Sequence, residues 1–361
     1  MRRFILITVA IIIVLLVAVI AAAAWLINDE SFLKQQASDL ALKFTGRELH
    51  IDGPLDLSIG SSIALNAEGI RFANADWATP DQMVAVGSLA VVVDTRSLFG
   101  GKPDIAHVAL SDCQVNLENH PKHGTNWADL VPPKKEPSET EKPPRKGLPV
   151  ILRDTVIRDC QLKFERPESP VYIAVSQLRF GLTDDSRWEA QGVAAINDEE
   201  LELDGWFGPA GVFIDGGRLD HELNLTLGPN EFSSSGYIED YVAATGANIQ
   251  TRLSGPSIEN FLSRLGSPSI SQGPFDFTLD LVSEGNMTRM SINGDFGDLK
   301  IASSGLVDKI ADPEAGTIGL KMAGPSLFQL GEALGFSGLV DEPFELEINA
   351  DFEPGMANIS S

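Results

Sequence analysis

The chain has 361 residues, enough for two or three domains or for one elongated array. Its 27 Lys and Arg stand against 51 Asp and Glu, a formal charge of −24. That balance excludes nucleic acid as a main partner and a broad electrostatic dock on anionic lipid, since both need a basic footprint. Two cysteines exclude a disulfide-dense scaffold and a multi-Cys zinc module.

Arg2 and Arg3 precede an apolar run from Phe4 to Ile27 whose only polar member is Thr8. As a helix it would be roughly 36 Å long, enough to cross a hydrocarbon core of about 30 Å with some tilt. The positive-inside rule predicts a cytoplasmic N-terminus, with everything after residue 28 exported, and Trp25 sits where an interfacial anchor would. A cleavable signal peptide ending near Ala21–Ala24 is the alternative, and it exports the rest equally well.

Phe32, Leu33, Ala37, Leu40, Ala41 and Phe44 then fall at helical spacing. Ser31 or Asn28 can cap this helix, and Gly46 suits its left-handed end. Beyond it the period becomes two. Leu55, Leu57 and Ile59, then Val115 and Leu117, Leu201 and Leu203, and Leu223, Leu225 and Leu227 alternate with polar residues. This predicts half-buried antiparallel strands. Between Val131 and Gly147 five prolines are mixed with eight charged residues, and no core can form from them. The expected organisation is an anchor over 1–28, a β domain over 29–130, a linker over 131–147 and a repeated β region over 148–361.

Two internal repeats mark the array. Asp112-Cys113-Gln114-Val115-Asn116-Leu117-Glu118 matches Asp159-Cys160-Gln161-Leu162-Lys163-Phe164-Glu165 at an offset of 47. Gly255-Pro256-Ser257 and Pro274-Phe275 recur at Gly324-Pro325-Ser326 and Pro343-Phe344, an offset of 69. Repeats at a fixed period point to units stacked on their neighbours. In each 69-residue unit Ser257 or Ser326 caps a short helix, and a strand follows. Phe275, Phe277, Leu279 and Leu281 alternate with Asp276, Thr278 and Asp280. Phe344, Leu346, Ile348 and Phe352 alternate with Glu345, Glu347, Asn349 and Asp351. An apolar stripe backed by an acidic one fits a sandwich, a closed barrel or a curved open sheet, and periodicity does not separate the three.

The N-terminal region resembles the AsmA family of Gram-negative inner-membrane proteins. The likeness rests on the single span and on Thr45-Gly46-Arg47-Glu48-Leu49 closing the amphipathic helix. It continues through Ile51-Asp52-Gly53-Pro54-Leu55, Leu65-Asn66-Ala67-Glu68-Gly69-Ile70-Arg71-Phe72-Ala73-Asn74 and Gly124-Thr125-Asn126-Trp127. It covers about residues 1–130, and the Gly-Pro-Ser units extend it less specifically to residue 361. The resemblance implies a mainly β fold: one N-terminal transmembrane helix, then an elongated, twisted antiparallel sheet forming an open groove, with a few short helices. It also implies kinship with chorein-type bridge-like lipid carriers and a role in phospholipid movement and outer-membrane assembly.

Candidate chemistry is sparse. His120 and His123 are close, but Pro121 and Gly124 make their segment a turn rather than a metal site. No nucleophile, P-loop or zinc-protease pattern occurs, so neither a catalytic residue nor a cofactor is expected. Cys113 and Cys160 occupy equivalent repeat positions. Export would permit a disulfide, two small buried thiols are the alternative, and repeat equivalence alone does not bring them within range. The membrane-anchor residues are Arg2, Arg3, Phe4, Trp25 and Ile27. Oriented by the resemblance, the lipid-groove candidates are Phe275, Phe277, Leu279, Leu281, Phe344, Leu346, Ile348 and Phe352. The expected partners are phospholipid, the inner membrane and envelope proteins. A periplasmic scaffold with a closed β core, acting on outer-membrane protein assembly or targeting through protein partners, is the second reading. An exported enzyme is the third.

Overall fold

The structure, a computed structural model, describes residues 29–99, 103–130, 151–167, 170–212, 216–264, 272–308, 314–333, 338–353 and 356–360. The expected span over 4–27 and the linker over 131–147 lie outside the described residues. Among those described, no helix is long and apolar enough to cross a membrane. The chain divides into two compact units, Met1–Leu182 with Gln191–Glu200, and Thr183–Ala190 with Leu201–Ser361.

Unit 1 opens with helix α1 (Glu30–Thr45). Its cap is Asp29, between the two expected positions Asn28 and Ser31; the carboxylate accepts from the backbone N–H groups of Ser31 and Phe32. The Ser31 hydroxyl and these N–H groups hold the Asp29 carboxyl below its ordinary range. Gly46 ends the helix at φ 73°, and its N–H reaches the Leu42 carbonyl. Leu33, Ala37 and Ala41 form the buried stripe of α1.

That stripe lies in one core cluster with the strands that follow. These are β1 (Leu49–Ile51), β2 (Leu55–Ile59), β3 (Ser62–Ala73), β4 (Gln82–Asp94) and β5 (Asp104–His120). A short helix α2 (Thr95–Phe99) joins β4 to β5, and a two-residue β6 (Gly124–Thr125) folds back on the end of β5. β1 and β2 both pair with β3, and β3–β4–β5 run antiparallel. Leu65, Val91, Val93 and Ile105 are at most 5% exposed, so this face is sealed. Burying each such side chain contributes ~1.5–3 kcal/mol.

After the linker come β7 (Ile151–Leu152), β8 (Asp154–Glu165), β9 (Val171–Leu182) and β10 (Trp188–Ile196). β7 and β8 pair with β5 in parallel, and β9 returns antiparallel on β8. The sheet is therefore mixed rather than wholly antiparallel as expected. A parallel neighbour needs a crossover connection between the two strands rather than a tight hairpin. β8 and β9 lie beyond the linker in sequence but belong to unit 1 because they extend its sheet.

A line of irregularities crosses this sheet. Gly69, Asp112 and Asp159 have φ of 63°, 54° and 52°. The pairings skip Gly69 against Gly87, Gly87 against Asp112, Asp112 beside Asp159, and Asp159 against Ser176. Side-chain parity flips at the line: Leu65 and Ala67 precede it on the buried face of β3, and Ile70 and Phe72 follow it. Such bulges bend a strand and raise its twist. A Cβ on Gly87 would sit 2.6 Å from that of Asp112, so the line requires glycine there.

Unit 2 is a meander. From Leu201 of β11 (Glu199–Gly208) it proceeds through β12 (Leu219–Leu227), β13 (Asn230–Asp240), β14 (Thr245–Gly255), β15 (Phe275–Glu284) and β16 (Met287–Phe296). β17 (Leu299–Val307), β18 (Gly316–Gly324), β19 (Phe344–Glu353) and β20 (Met356–Ser360) complete it. Each strand pairs antiparallel with the next and, among the described residues, β11 does not pair with β20, so this unit's sheet is open. Helices α3 (Ile258–Arg264) and α4 (Leu327–Ala333) interrupt the β14–β15 and β18–β19 connections at the 69-residue offset. The Ser257 hydroxyl accepts from the Asn260 N–H, as a cap should.

Candidate functional site

The register of unit 2 turns the alternating sequence into continuous rows. One runs Leu203, Leu225, Phe232, Leu253, Phe277, Gly294, Ile301, Met322 and Leu346 across β11 to β19. The next carries Leu223, Leu279, Ile292, Leu320 and Ile348, and a third Ile249, Leu281, Met290, Ile318 and Ala350. Gly294 is small for a reason: a Cβ there would sit 2.5 Å from that of Phe277, whose ring stacks on Phe296 at 5.9 Å.

All eight groove candidates lie on this face. Phe277, Leu279, Phe344, Leu346, Ile348 and Phe352 are half-buried. Leu281 is 9% exposed, and Phe275 only 3%, because Phe261 of α3 packs on it at 5.3 Å. Phe275 is thus a packing residue at the edge of the face. The glycines of both Gly-Pro-Ser motifs serve this edge: a Cβ on Gly255 would meet the Phe275 ring at 2.7 Å, and one on Gly324 the Phe344 ring at 3.0 Å.

The opposite face is wet. Arg252 holds Asp276 in a bidentate pair, Lys321 pairs with Glu347 at 3.2 Å, and the Gln250 amide donates to Asp280 at 3.0 Å. The Arg252 guanidinium holds the Asp276 carboxyl below its ordinary range. A hollow of about 770 Å³ lies on this side, bordered by Arg252, Lys300 and Lys321 against Asp276, Asp295 and Glu345. Its charges balance, so it shows no preference for an anion or a cation.

Unit 1 holds a second constellation. Arg47, 6% exposed, donates to the Asn126 carbonyl at 2.7 Å and to Asp129 at 2.5 Å. The Asn126 side chain, 1% exposed, donates to Asn74 Oδ1 at 2.8 Å and to the Asn116 carbonyl at 2.9 Å, and accepts from the Glu118 N–H. Asn74 in turn donates to the Pro80 carbonyl. Arg47, Asn74 and Asn126 come from three separate sequence motifs, and the fold joins them in one buried clasp. Every group in it is satisfied by protein, which gives it a structural role rather than a chemical one.

Residues 1–164 match the model of the AsmA family. Over that N-terminal segment the chain is similar to the AsmA family. No curated protein and no solved structure matches it. Three of the four motifs that, beside the N-terminal span, carry the AsmA resemblance meet in the Arg47–Asn74–Asn126 clasp.

Within the AsmA segment Cys113 and Cys160 lie directly opposite each other on the parallel strands β5 and β8 and form a disulfide. The 47-residue repeat is thus two copies paired side by side in register, a relation that repeat equivalence alone does not imply. His120 and His123 stack beside Trp77, with His123 at 5.2 Å from its ring. Among the described residues no group of three metal-ligating side chains exists.

Proposed function

We propose that this chain is an inner-membrane-anchored periplasmic protein of the AsmA family whose unit 2 binds or conveys phospholipid acyl chains, in support of outer-membrane assembly. The observation that carries the reading is the apolar face running from β11 to β19, whose central residues stay half-buried in an open sheet. Apolar surface left in water is unfavourable, and acyl chains would gain about 0.8 kcal/mol per CH₂ buried on it. A closed-core scaffold would seal those residues as unit 1 seals Val91. The proposed anchor is Phe4–Ile27, with Arg2 and Arg3 on the cytoplasmic side and Trp25 at the outer interface. The role is non-catalytic: the groove is selected by shape and hydrophobicity.

Two measurements test this. Mass spectrometry of gently extracted protein should find copurifying phospholipid, and protein free of lipid would overturn the groove. A reporter enzyme active only outside the cytoplasm, fused after Ser361, should work; an inactive fusion would overturn the topology.

A further inference from the structure

Among the polar residues on the apolar face of unit 2, which include Thr288 on β16 and Ser303 on β17, three are linked side chain to side chain. His221 on β12, Ser234 on β13 and Thr251 on β14 fall where the rows would otherwise place hydrocarbon, and all three are half-buried. His221 Nε2 lies 2.9 Å from Ser234 Oγ, and Ser234 Oγ lies 3.1 Å from Thr251 Oγ1. Around them stand Leu223, Leu225, Phe232, Ile249, Leu253 and Leu279. Gly236, paired with His221, adds no side chain, and a Cβ there would sit 2.0 Å from the Asn248 carbonyl oxygen. The histidine therefore borders a gap in the hydrocarbon surface.

Counting hydrogens shows what this triad lacks. A neutral imidazole offers one N–H, and each hydroxyl offers one O–H. Burial pushes the His221 ring below the ordinary histidine range, against the opposing pull of Asp220, so the ring stays neutral. Three donor hydrogens thus serve two bonds. If Nε2 donates to Ser234 and Ser234 to Thr251, the Thr251 hydroxyl hydrogen is left. If the chain runs the other way, the Nδ1 hydrogen is left. If Ser234 accepts from both neighbours, its own hydrogen is left. Every arrangement leaves one donor over, and none of the three side chains has another hydrogen-bond partner among the described residues. A spare donor in a half-dry surface favours an acceptor oxygen that arrives attached to hydrocarbon.

We infer that His221, Ser234 and Thr251 form a binding station for the acceptor oxygen of an acyl compound, a carboxylate or an ester carbonyl at the head of a hydrocarbon chain. The inference rests on the groove reading above and deepens it: the face would hold lipids at a fixed point rather than only along a greasy slide.

The test uses the full chain in detergent with three photoactivatable probes of matched chain length: a fatty acid, a phosphatidylglycerol and a plain alkane. Thr251→Val alone still leaves two donors for one bond, so the deciding variant removes all three donors at once: His221→Phe with Ser234→Ala and Thr251→Val. That triple variant should weaken crosslinking of the oxygenated probes about 3- to 10-fold, the worth of one hydrogen bond, and leave the alkane unchanged. Thr251→Ser, which keeps every donor, should behave as the wild type. Loss confined to the fatty acid assigns a carboxylate, and loss with both oxygenated probes assigns the ester as well; either supports the station. If the wild type captures all three probes and the triple variant matches it, the triad is ordinary cross-strand bonding and the inference falls, while the groove stands. If the wild type captures none, the groove reading falls and the station with it.

Discussion

In unit 1 Val91 and Val93 are 1% exposed, enclosed in a cluster that includes Leu33, Ala37 and Ala41 of α1. In unit 2 Leu279 and Ile348, on strands of the same period, are only half-buried. The strands hardly differ in pattern; what differs is the cover. Unit 1 has a sixteen-residue helix with a buried stripe, whereas α3 and α4 have seven residues each and reach only an edge of their sheet. The amphipathic strand is therefore neutral on the question of core or groove, and the helix decides it.

Four experiments break or sharpen that contrast. The largest effect should come from Val91→Asp, which puts a charge where no water or partner can reach it. The cost should be on the order of 4–5 kcal/mol or more, seen as loss of folded protein in a denaturant titration. Next comes removal of the disulfide by Cys113→Ser with Cys160→Ser. The bond closes a loop of sequence separation 47, and its loss should cost about 3–4 kcal/mol by the chain-entropy argument, read as a lower urea midpoint. Asn126→Ala strands the Glu118 N–H and the Asn116 carbonyl, and should cost about 2–3 kcal/mol on the same scale. In unit 2, Leu279→Asp and Ile348→Asp should cost only about 1 kcal/mol each yet abolish lipid crosslinking. If they unfold the protein as Val91→Asp does, the contrast between the units is false.

Acid should act more weakly still. Arg252 and Arg289 hold the Asp276 and Glu284 carboxyls below their ordinary range. A carboxyl lowered in the fold contributes stability above its unfolded pKa, near about 4, and loses it as pH falls through the folded value. These pairs are exposed, so the loss is small. Melting temperature should fall slightly between about pH 5 and about pH 3, and Arg252→Gln should flatten part of that slope.

Much of this was legible in the sequence. Leu55 to Ile59, Leu223 to Leu227 and Phe344 to Phe352 are strands because period-two alternation is a local property. The resemblance through Arg47, Asn74 and Asn126 agrees with the family match over residues 1–164, but the clasp itself was hidden because its members lie far apart in the sequence. The parity flip at Asp112 and Asp159 was hidden too: a left-handed aspartate looks like any other polar strand residue. The disulfide required knowing that two repeat copies pair in parallel, and a crossover can place them side by side or far apart. His221, Ser234 and Thr251 each look like ordinary alternation until register aligns three strands.

The repeat in unit 2 also works as a gauge. One 69-residue period comprises four strands, β15 to β18 with the connection over α4, and sheet neighbours are spaced by about 4.8 Å. Each period therefore lengthens the apolar face by about 19 Å across the strands. Because every strand pairs only with the next, a period could be inserted or deleted without re-pairing the rest. Reach would then change in discrete steps while the cross-section stayed constant, and the number of repeats, rather than any single residue, would set the distance over which a hydrocarbon chain is sheltered.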